Sequence, residues 1–409
     1  MGVFLAILTY LAAAMLLFVG IAYLYGRIFP NQAKRFGNTS NNPRFGLVRD
    51  KQDVAILISC YRGSGTIEST VTAALKTGCV VYVVDDGSKQ RKGSDPLKMP
   101  LDQTTETARA AGATVLELQQ NAGKPGAIFK AYNHFELSRR YKAVAILDDD
   151  VTVRPDFIRR CLKKMTRTVV IVVGKNITWW PKEQRWNIWL AKRAFSYWNY
   201  QLITRRIQSL FGVMNCISGS NSIYRTELLD QVLVEKTPYI VDDTFWVLET
   251  QRRNLGRITY ASKAHAYLQD PTVFKEWYKQ NLRWLWGTFQ GVIGHNVGRR
   301  ATRFDFAYVL LMMQWFIYVM SAPVAIILMA LTAVHAPWLL LTYIAGYALW
   351  VIAAAIQLRQ YHLILFSPAI FVSDFIYRFI FVHALIKAIR EPTVENCVWE
   401  SPTRMARTA

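Results

Sequence analysis

The chain has 409 residues, a formal net charge of +21 and 52% hydrophobic residues, with a mean hydropathy of +0.13. That length predicts two or three domains, and that hydropathy is high for a soluble protein. The charge alone would admit nucleic-acid binding, but no helix-turn-helix, zinc-finger or RNA-binding signature accompanies it, so no nucleic-acid partner is expected.

The apolar excess is uneven. It lies in the first 25 residues and in roughly the last 110, on either side of a mixed middle. Membrane segments around a water-exposed domain explain this pattern. They also explain the charge, because Lys and Arg collect on the inner face beside anionic headgroups. A negatively charged substrate would be drawn in by the same field. The five cysteines, Cys60, Cys79, Cys161, Cys216 and Cys397, show no C-x-x-C spacing. They read as small apolar residues in a reducing compartment.

Gly2–Tyr25 is apolar and long enough to span a bilayer. It lacks a charged n-region and a small-x-small cleavage site, so a cleaved signal peptide is not expected. Arg27, Lys34, Arg35, Arg44, Arg49 and Lys51 follow. The positive-inside rule then places the N-terminus outside and the next domain in the cytoplasm.

From Asp53 to Val173 strand and helix signals alternate. Strands are predicted at Val54–Ser59, Cys79–Val84, Thr114–Leu118 and Val144–Leu147. Helices are predicted at Thr66–Thr77, Thr104–Ala111 and Gly126–Arg140. Continuous apolar strands in a βαβ order predict a parallel sheet covered on both faces, with ligands at the carboxyl ends of its strands. Two of those ends carry acids: Asp85-Asp86-Gly87-Ser88, and the run Asp148-Asp149-Asp150. The loop Ser59-Cys60-Tyr61-Arg62-Gly63 follows a third strand.

Three adjacent carboxylates at a buried strand end repel one another unless a cation neutralises them. If the strand persists, Asp148 and Asp150 point the same way and offer hard oxygen ligands to Mg²⁺ or Mn²⁺ holding a diphosphate. An acidic turn after a strand is the other reading. In Asn121-Ala122-Gly123-Lys124-Pro125-Gly126, Lys124 either reaches a phosphate at a helix N-terminus or is a solvated lysine in a Gly/Pro turn.

Trp186–Phe211 interleaves aromatics with Lys192, Arg193, Arg205 and Arg206. It is too polar to span and predicts an interfacial helix with its basic residues toward anionic lipid. The small residues of Ile217–Arg225, Ser218 and Gly219 among them, allow close backbone approach to a ligand. In Val241-Asp242-Asp243-Thr244, Asp243 is a candidate general base for an acceptor hydroxyl and also a candidate helix N-cap.

Gln280, Arg283 and Trp284 form Q-x-x-R-W and share one helix face. An arginine there can steady a diphosphate and an indole can stack on a sugar; a membrane-surface anchor is the alternative. Phe306–Val334 and Trp338–Gln357 are each long enough to span. Tyr361–Ile389 contains Pro368 and an Asp374/Arg378 pair, which predicts a broken, re-entrant passage. The tail Val398–Arg404 carries Trp399 and Arg404.

Taken together, Asp53–Arg404 resembles the processive, membrane-embedded family-2 glycosyltransferases, the hyaluronan synthase and type 3 capsule synthase group above all. The resemblance implies an α/β, GT-A-type (Rossmann-like) cytoplasmic glycosyltransferase domain fused to α-helical transmembrane and interfacial helices. It implies these boundaries: a transmembrane helix at 1–25, the GT-A domain at 45–270 with an interfacial helix at about 186–211, a second interfacial helix at 271–300, a transmembrane region at 306–390, and a gating tail at 391–409.

The same resemblance assigns roles. Asp85 and Asp86, with Tyr61 nearby, bind uridine. Asp148 and Asp150 hold the metal and diphosphate, with Lys124 close by. Ser218 and Gly219 border the acceptor. Asp243, beside Asp242, is the base. Gln280, Arg283 and Trp284 lie at the acceptor end. Trp399 and Arg404 close the site over the diphosphate.

The chain departs from the family at V-D-D-T in place of G-D-D-R, at W-E-S-P-T-R in place of W-G-T-R, and at Cys60 and Arg62 in place of proline and asparagine. The implied reaction is an inverting transfer from a UDP-sugar to a growing glycan that leaves through the bilayer, with Mn²⁺ or Mg²⁺ as cofactor. The protein is then an integral inner-membrane protein, and a second copy could complete the channel. Two other readings are transfer of a single sugar to a lipid or cell-wall acceptor, and a membrane scaffold or transporter with an inactive domain.

Overall fold

The computed structural model describes residues 43–89, 102–300, 302–335, 337–395 and 405. The predicted span at Gly2–Tyr25 and the tail residues Trp399 and Arg404 lie outside them.

In chain order the elements are β1 (Val54–Cys60), α1 (Ile67–Leu75), β2 (Val80–Asp85), α2 (Thr104–Ala110), β3 (Thr114–Glu117), α3 (Gly123–His134), β4 (Ala143–Asp148), β5 (Val151–Val153), α4 (Phe157–Leu162), β6 (Val169–Thr178), α5 (Ile188–Leu202), α6 (Thr204–Phe211), β7 (Asn221–Arg225), α7 (Thr226–Val232), α8 (Asp242–Arg252), β8 (Arg257–Leu268), α9 (Phe274–Gly294), α10 (Arg303–His335), α11 (Pro337–Leu358) and α12 (Ser367–Arg390). They form two compact units. One holds the sheet and takes in the described residues up to Trp179 and Gly212–Gln269; the other is helical and takes in Trp180–Phe211 and Asp270–Pro392.

In the α/β unit one eight-stranded sheet has the order β3-β2-β1-β4-β7-β6-β8-β5. β3, β2, β1 and β4 are parallel, as the alternating βαβ pattern predicts. The sheet as a whole is not. β7 runs antiparallel to both β4 and β6, and β5 is antiparallel to β8, so the sheet is mixed. The reason lies in Ile217–Arg225: its last five residues are a central strand rather than a ligand-bordering loop.

All seven residues of β1 are buried, because helices cover both faces. Successive residues feed alternate cores. Ile56 and Ile58 join Val81, Val83, Ala145 and Leu147 on one face; Ala55 and Leu57 join Tyr82, Val84, Val144 and Ile146 on the other.

The helix expected at Gly126–Arg140 starts earlier and stops sooner. It begins at Gly123, with Pro125 in its first turn, where a missing N–H costs no hydrogen bond. It ends before Glu136, which takes a left-handed conformation (φ 50°).

In the helical unit, Trp186–Phe211 divides into α5 and α6. Asn187 caps α5 by accepting from the Trp189 and Leu190 N–H groups at 2.9 and 3.2 Å. Its basic residues do not face outward as expected. Lys192 and Arg193 are buried. Lys192 reaches Asp374 on α12 at 3.1 Å, and Arg193 lies 3.4 Å from Asp270. Burying a charge without a partner is expensive, so these cations turn toward carboxylates.

Pro368 does not break its segment either. It sits in the first turn of α12, which runs unbroken to Arg390. Among the described residues one helical stretch, Tyr361–Arg390, with a mean hydropathy of 1.8 over an 18-residue window, is long and apolar enough to cross a membrane by length and composition.

Candidate active site

The site grows from strand register in the α/β unit. Ser59 pairs with Asp148 and Cys60 with Asp85. The carboxyl ends of β1, β2 and β4 are therefore level, and the two acidic stretches share one edge. On the other side of β4, Leu147 pairs with Asn221 across an antiparallel ladder. The residues after Leu147 therefore meet those before Asn221, which brings Asp148–Asp150 to Ser218–Ser220.

The β2 end folds around its own acids. Asp85 is fully buried and accepts from the Ser88 N–H at 2.9 Å and the Thr105 hydroxyl at 2.6 Å. Asp86 accepts from the Ala122 N–H at 2.6 Å. Burial raises the Asp86 carboxyl to about 6, against the pull of the Ala122 and Gly123 N–H groups. Gly87 is required here. Its φ is +75°, and a Cβ would lie 2.8 Å from the Asn121 backbone nitrogen.

The loop after β1 is laced to the same turn. Cys60 O accepts from Asp86 N at 2.8 Å, and the Arg62 N–H donates to Ser88 Oγ at 2.7 Å. Half-buried Tyr61 carries the Arg62 guanidinium over its ring at 5.4 Å.

The Asp148–Asp150 run departs from expectation. β4 ends at Asp148, and Asp149 and Asp150 form a turn before β5. Strand alternation therefore does not carry Asp150 to the side of Asp148. Asp149 turns inward, accepting from the Cys60 thiol at 2.9 Å, while its carbonyl accepts from Thr70 at 2.9 Å. Asp148, about one-third exposed, pairs with the Lys124 ammonium at 2.6 Å.

Lys124 also donates to Gly219 O at 3.4 Å. Burial by itself would lower the Lys124 ammonium. Asp148, Asp242 and Asp243 outweigh that effect and hold it above the usual lysine range.

Asp243 completes the chain of contacts. Its Oδ2 accepts from the Gly219 N–H at 2.8 Å. Gly219 has no side chain for a plain reason: a Cβ would lie 2.8 Å from Asp243 Oδ2. The close backbone approach expected of this segment is thus made to Asp243. Asp243 is not an N-cap. Val241 takes that position, and Asp242 and Asp243 both lie in the first turn of α8. Burial, reinforced by Asp242, raises the Asp243 carboxyl to about 6, while Lys124 and the Gly219 N–H pull it down. Ser218 and Ser220 share a 2.8 Å hydroxyl contact beneath the loop.

Four segments distant in sequence thus meet in one row: Asp148, Lys124, Gly219 and Asp243. The row combines a carboxylate raised toward neutrality, an ammonium, and acidic oxygens at a strand tip. Such a set can accept a proton near pH 7 and hold charge of either sign. No group of three His, Cys, Asp or Glu side chains gathers as a metal site among the described residues. Asp148, the partly exposed carboxylate at this strand tip, is a hard oxygen donor that fits a divalent cation completed by a ligand's phosphate, not an all-protein cage. Asp148 already carries a cationic group in Lys124, which shows that its oxygen faces a position suited to positive charge.

In the helical unit Gln280 and Trp284 do share a face, and a buried arginine organises it. Arg193 donates to Gln280 Oε1 and, at 3.2 Å, to Asn281 Oδ1. It lies 4.6 Å from the Trp284 ring centroid. Arg283, the next residue of the motif, is half-buried on the same helix.

Sequence reasoning missed Thr105, the Cys60–Asp149 contact and Arg193. Only Arg193 carried a signal, its position among the aromatics of α5, and that signal pointed to lipid. Arg225, buried at the end of β7, supports the fold: it donates to the carbonyls of Val169 and Thr166 at 2.8 and 3.1 Å.

The sequence model of the family described as glycosyl transferase family group 2 matches residues 143–357. Human hyaluronan synthase 3 is 26% identical over 202 residues, covering 46% of this chain and 34% of that protein. The poly-beta-1,6-N-acetyl-D-glucosamine synthase of Staphylococcus aureus (strain MSSA476) is 22% identical over 284 residues, 68% of this chain and 64% of that one. The chain thus spans about a third of the length of the hyaluronan synthase it matches. The mannosyltransferase PcManGT from Pyrobaculum calidifontis, solved with GDP-Man and Mn2+, superposes with a TM-score of 0.53 at 17% identity, covering 88% of this chain and 98% of that one. That likeness shows a shared GT-A-like α/β fold.

Proposed function

The chain belongs to glycosyl transferase family group 2, and from that membership we propose that it is a membrane enzyme transferring sugar, with inversion, from a UDP-sugar to a growing polysaccharide. The observation that carries this reading is the row Asp148–Lys124–Gly219–Asp243 at the carboxyl edge of the sheet. Acid and base chemistry and charge neutralisation meet there within a few ångströms.

In this mechanism Asp243 accepts the proton of the acceptor hydroxyl as that oxygen attacks the anomeric carbon. The Gly219 N–H fixes the orientation of its carboxylate, and Asp242 keeps its proton affinity high. The Asp85–Ser88 turn and Tyr61 seat the uridine. Lys124, at the N-terminus of α3, adds positive charge beside the diphosphate. Asp148 and Asp150 would hold Mn²⁺ or Mg²⁺, which when bound offsets the charge developing on the leaving diphosphate. The roles that family resemblance implies for Ser218, Gln280, Arg283, Trp284, Trp399 and Arg404 belong to the same proposal.

Two facts support the bilayer as a partner: the apolar stretch Tyr361–Arg390, and the exposed Phe306, Phe316, Leu331, Leu341, Leu349 and Phe379 along α10–α12. Large outward apolar surfaces mark membrane or protein contacts. The net charge of +21 favours an inner-membrane protein with its α/β unit in the cytoplasm. The names of the two relatives, both synthases of glycan polymers, support a polymeric product.

The test is incubation of membranes with labelled UDP-sugars, reading UDP release and product length. Metal-dependent UDP release that is lost in Asp148→Ala and Asp243→Asn, with a polymeric product, is expected. A single-sugar product would overturn the polymerase reading. Unchanged release in both variants would overturn the site.

A further inference from the structure

Lys124 stands in an unusual place for a lysine. It occupies the first turn of α3, where the helix dipole disfavours a cation. It is nonetheless held there at 2.6 Å from Asp148 Oδ1 and 3.4 Å from Gly219 O. The acidic groups facing it come from two elements: Asp148 at the end of β4, and Asp242 and Asp243 from the first turn of α8. Gly219 links the two, since its carbonyl accepts from Lys124 while its N–H holds Asp243.

Asp148 therefore has two suitors. A divalent cation taken up by Asp148 would meet the ammonium on the same oxygen, and two cations at hydrogen-bond distance repel strongly. A diphosphate arriving at the N-terminus of α3 offers the ammonium a new partner within the swing of its four-carbon stem.

From this geometry we infer that Lys124 is a displaceable counter-cation: in the donor-free protein it occupies the metal's place on Asp148, and it passes to the donor's diphosphate as metal and donor bind together. The inference rests on the glycosyltransferase reading and deepens it. It makes metal binding and nucleotide binding cooperative, because metal alone must strip Asp148 of its ammonium with nothing to receive it. It also keeps the acidic mouth neutralised between turnovers.

The test is Mn²⁺ binding to the full-length protein in detergent, read from the free-ion paramagnetic resonance signal with and without UDP, so that no turnover is involved. The wild type should bind Mn²⁺ weakly alone and at least tenfold more tightly with saturating UDP. Lys124→Met should bind Mn²⁺ alone several-fold more tightly than the wild type, and the enhancement by UDP should shrink to about twofold or less. Lys124→Arg, which keeps the charge, should retain the cooperativity. Lys124→Gln serves as a second neutral variant should Lys124→Met melt early.

Equal or weaker Mn²⁺ binding by both neutral variants, with UDP enhancement intact, would overturn the counter-cation inference while leaving the glycosyltransferase reading in place. Absence of both Mn²⁺ and UDP binding in the wild type would overturn the two together.

Discussion

Replacing Gly219 with alanine isolates the contact on which the proposed base depends. A Cβ built there lies 2.8 Å from Asp243 Oδ2, 3.2 Å from its Cβ and 3.3 Å from its Cγ, whereas ordinary contact begins near 3.4 Å. The carboxylate must retreat by about 0.6 Å, and its 2.8 Å bond from the Gly219 N–H stretches past normal hydrogen-bonding range. A hydrogen bond to a charged group contributes about 1.5–3 kcal/mol. A misplacement of about 1 Å in a reacting group costs on the order of 100-fold in rate. Gly219→Ala should therefore lower kcat by about 10- to 100-fold with little change in KM for the donor. No positive φ stands at Gly219, so the backbone itself tolerates alanine.

The pH profile separates a displaced base from general damage. The Gly219 N–H holds the Asp243 carboxyl down, so losing it should move the acid limb of kcat to higher pH. Gly46→Ala is the control, because nothing lies within 4 Å of the added Cβ. The assay is UDP release between pH 5 and 8, with thermal melts to confirm folding. A Gly219→Ala enzyme with kcat within twofold of wild type and an unmoved acid limb would refute the assignment of Asp243.

The Asp243 carboxyl, raised from 3.8 to about 6, should give kcat an acid limb near pH 6, and Asp242→Asn, by removing the adjacent like charge, should move that limb to lower pH. Because the folded value is raised, Asp243 favours folding below pH 3.8, and that contribution is lost as pH rises through about 6. Asp243→Asn should therefore melt above the wild type at pH 7.5, with the gap closing toward pH 4; a constant gap would count against the shift. In the helical unit, Arg193→Met removes the cationic partner of buried Asp270, leaving it the Tyr197 hydroxyl, and should cost about 3–5 kcal/mol in detergent unfolding. Pairing it with Asp270→Asn should recover part of the loss, and a single-variant cost below about 1 kcal/mol would contradict the buried pair.

What the sequence made legible was local. Val54–Cys60 is a run of buried apolar residues between turn signals, and Asp85-Asp86-Gly87-Ser88 is a turn whose glycine has the positive φ that such a turn needs. Both can be read without knowing what lies across the fold. The errors arose where a distant group decides the outcome. Alternation says where a strand's side chains point but not where the strand stops. β4 stops at Asp148, and the next residue, Asp149, turns inward where Cys60 and Thr70, from other elements, donate to its carboxylate and its carbonyl. Lys192 and Arg193 looked like lipid-facing cations because their partners Asp374 and Asp270 lie far along the chain. Thr105 carried no signal at all, since nothing about a threonine in a helical first turn announces that it serves Asp85.

The location of the acidic row follows from topology more than from any single motif. β1 sends the chain toward β2 and β3 on one side, and β4 returns on the other, so the strand order reverses between β1 and β4. Loops leaving that point diverge and open a crevice at the carboxyl ends. The Cys60–Asp149 contact crosses this boundary, which fixes the two strand tips on either side of the opening. In dinucleotide-binding sheets the β1 loop and the helix after it supply glycine-rich backbone donors for phosphate. Here the β1 loop is Cys60-Tyr61-Arg62-Gly63, with Arg62 in a left-handed conformation (φ 53°) and its N–H committed to Ser88. The proposed anion-binding role therefore falls to the N-terminus of α3, where Lys124 stands. The antiparallel strand β7 then brings Gly219, and with it Asp243, in from the far side of β4. A purely parallel sheet would lack that second approach, and the proposed base, Asp243, would have no strand-anchored backbone donor to hold it against the acids of β4.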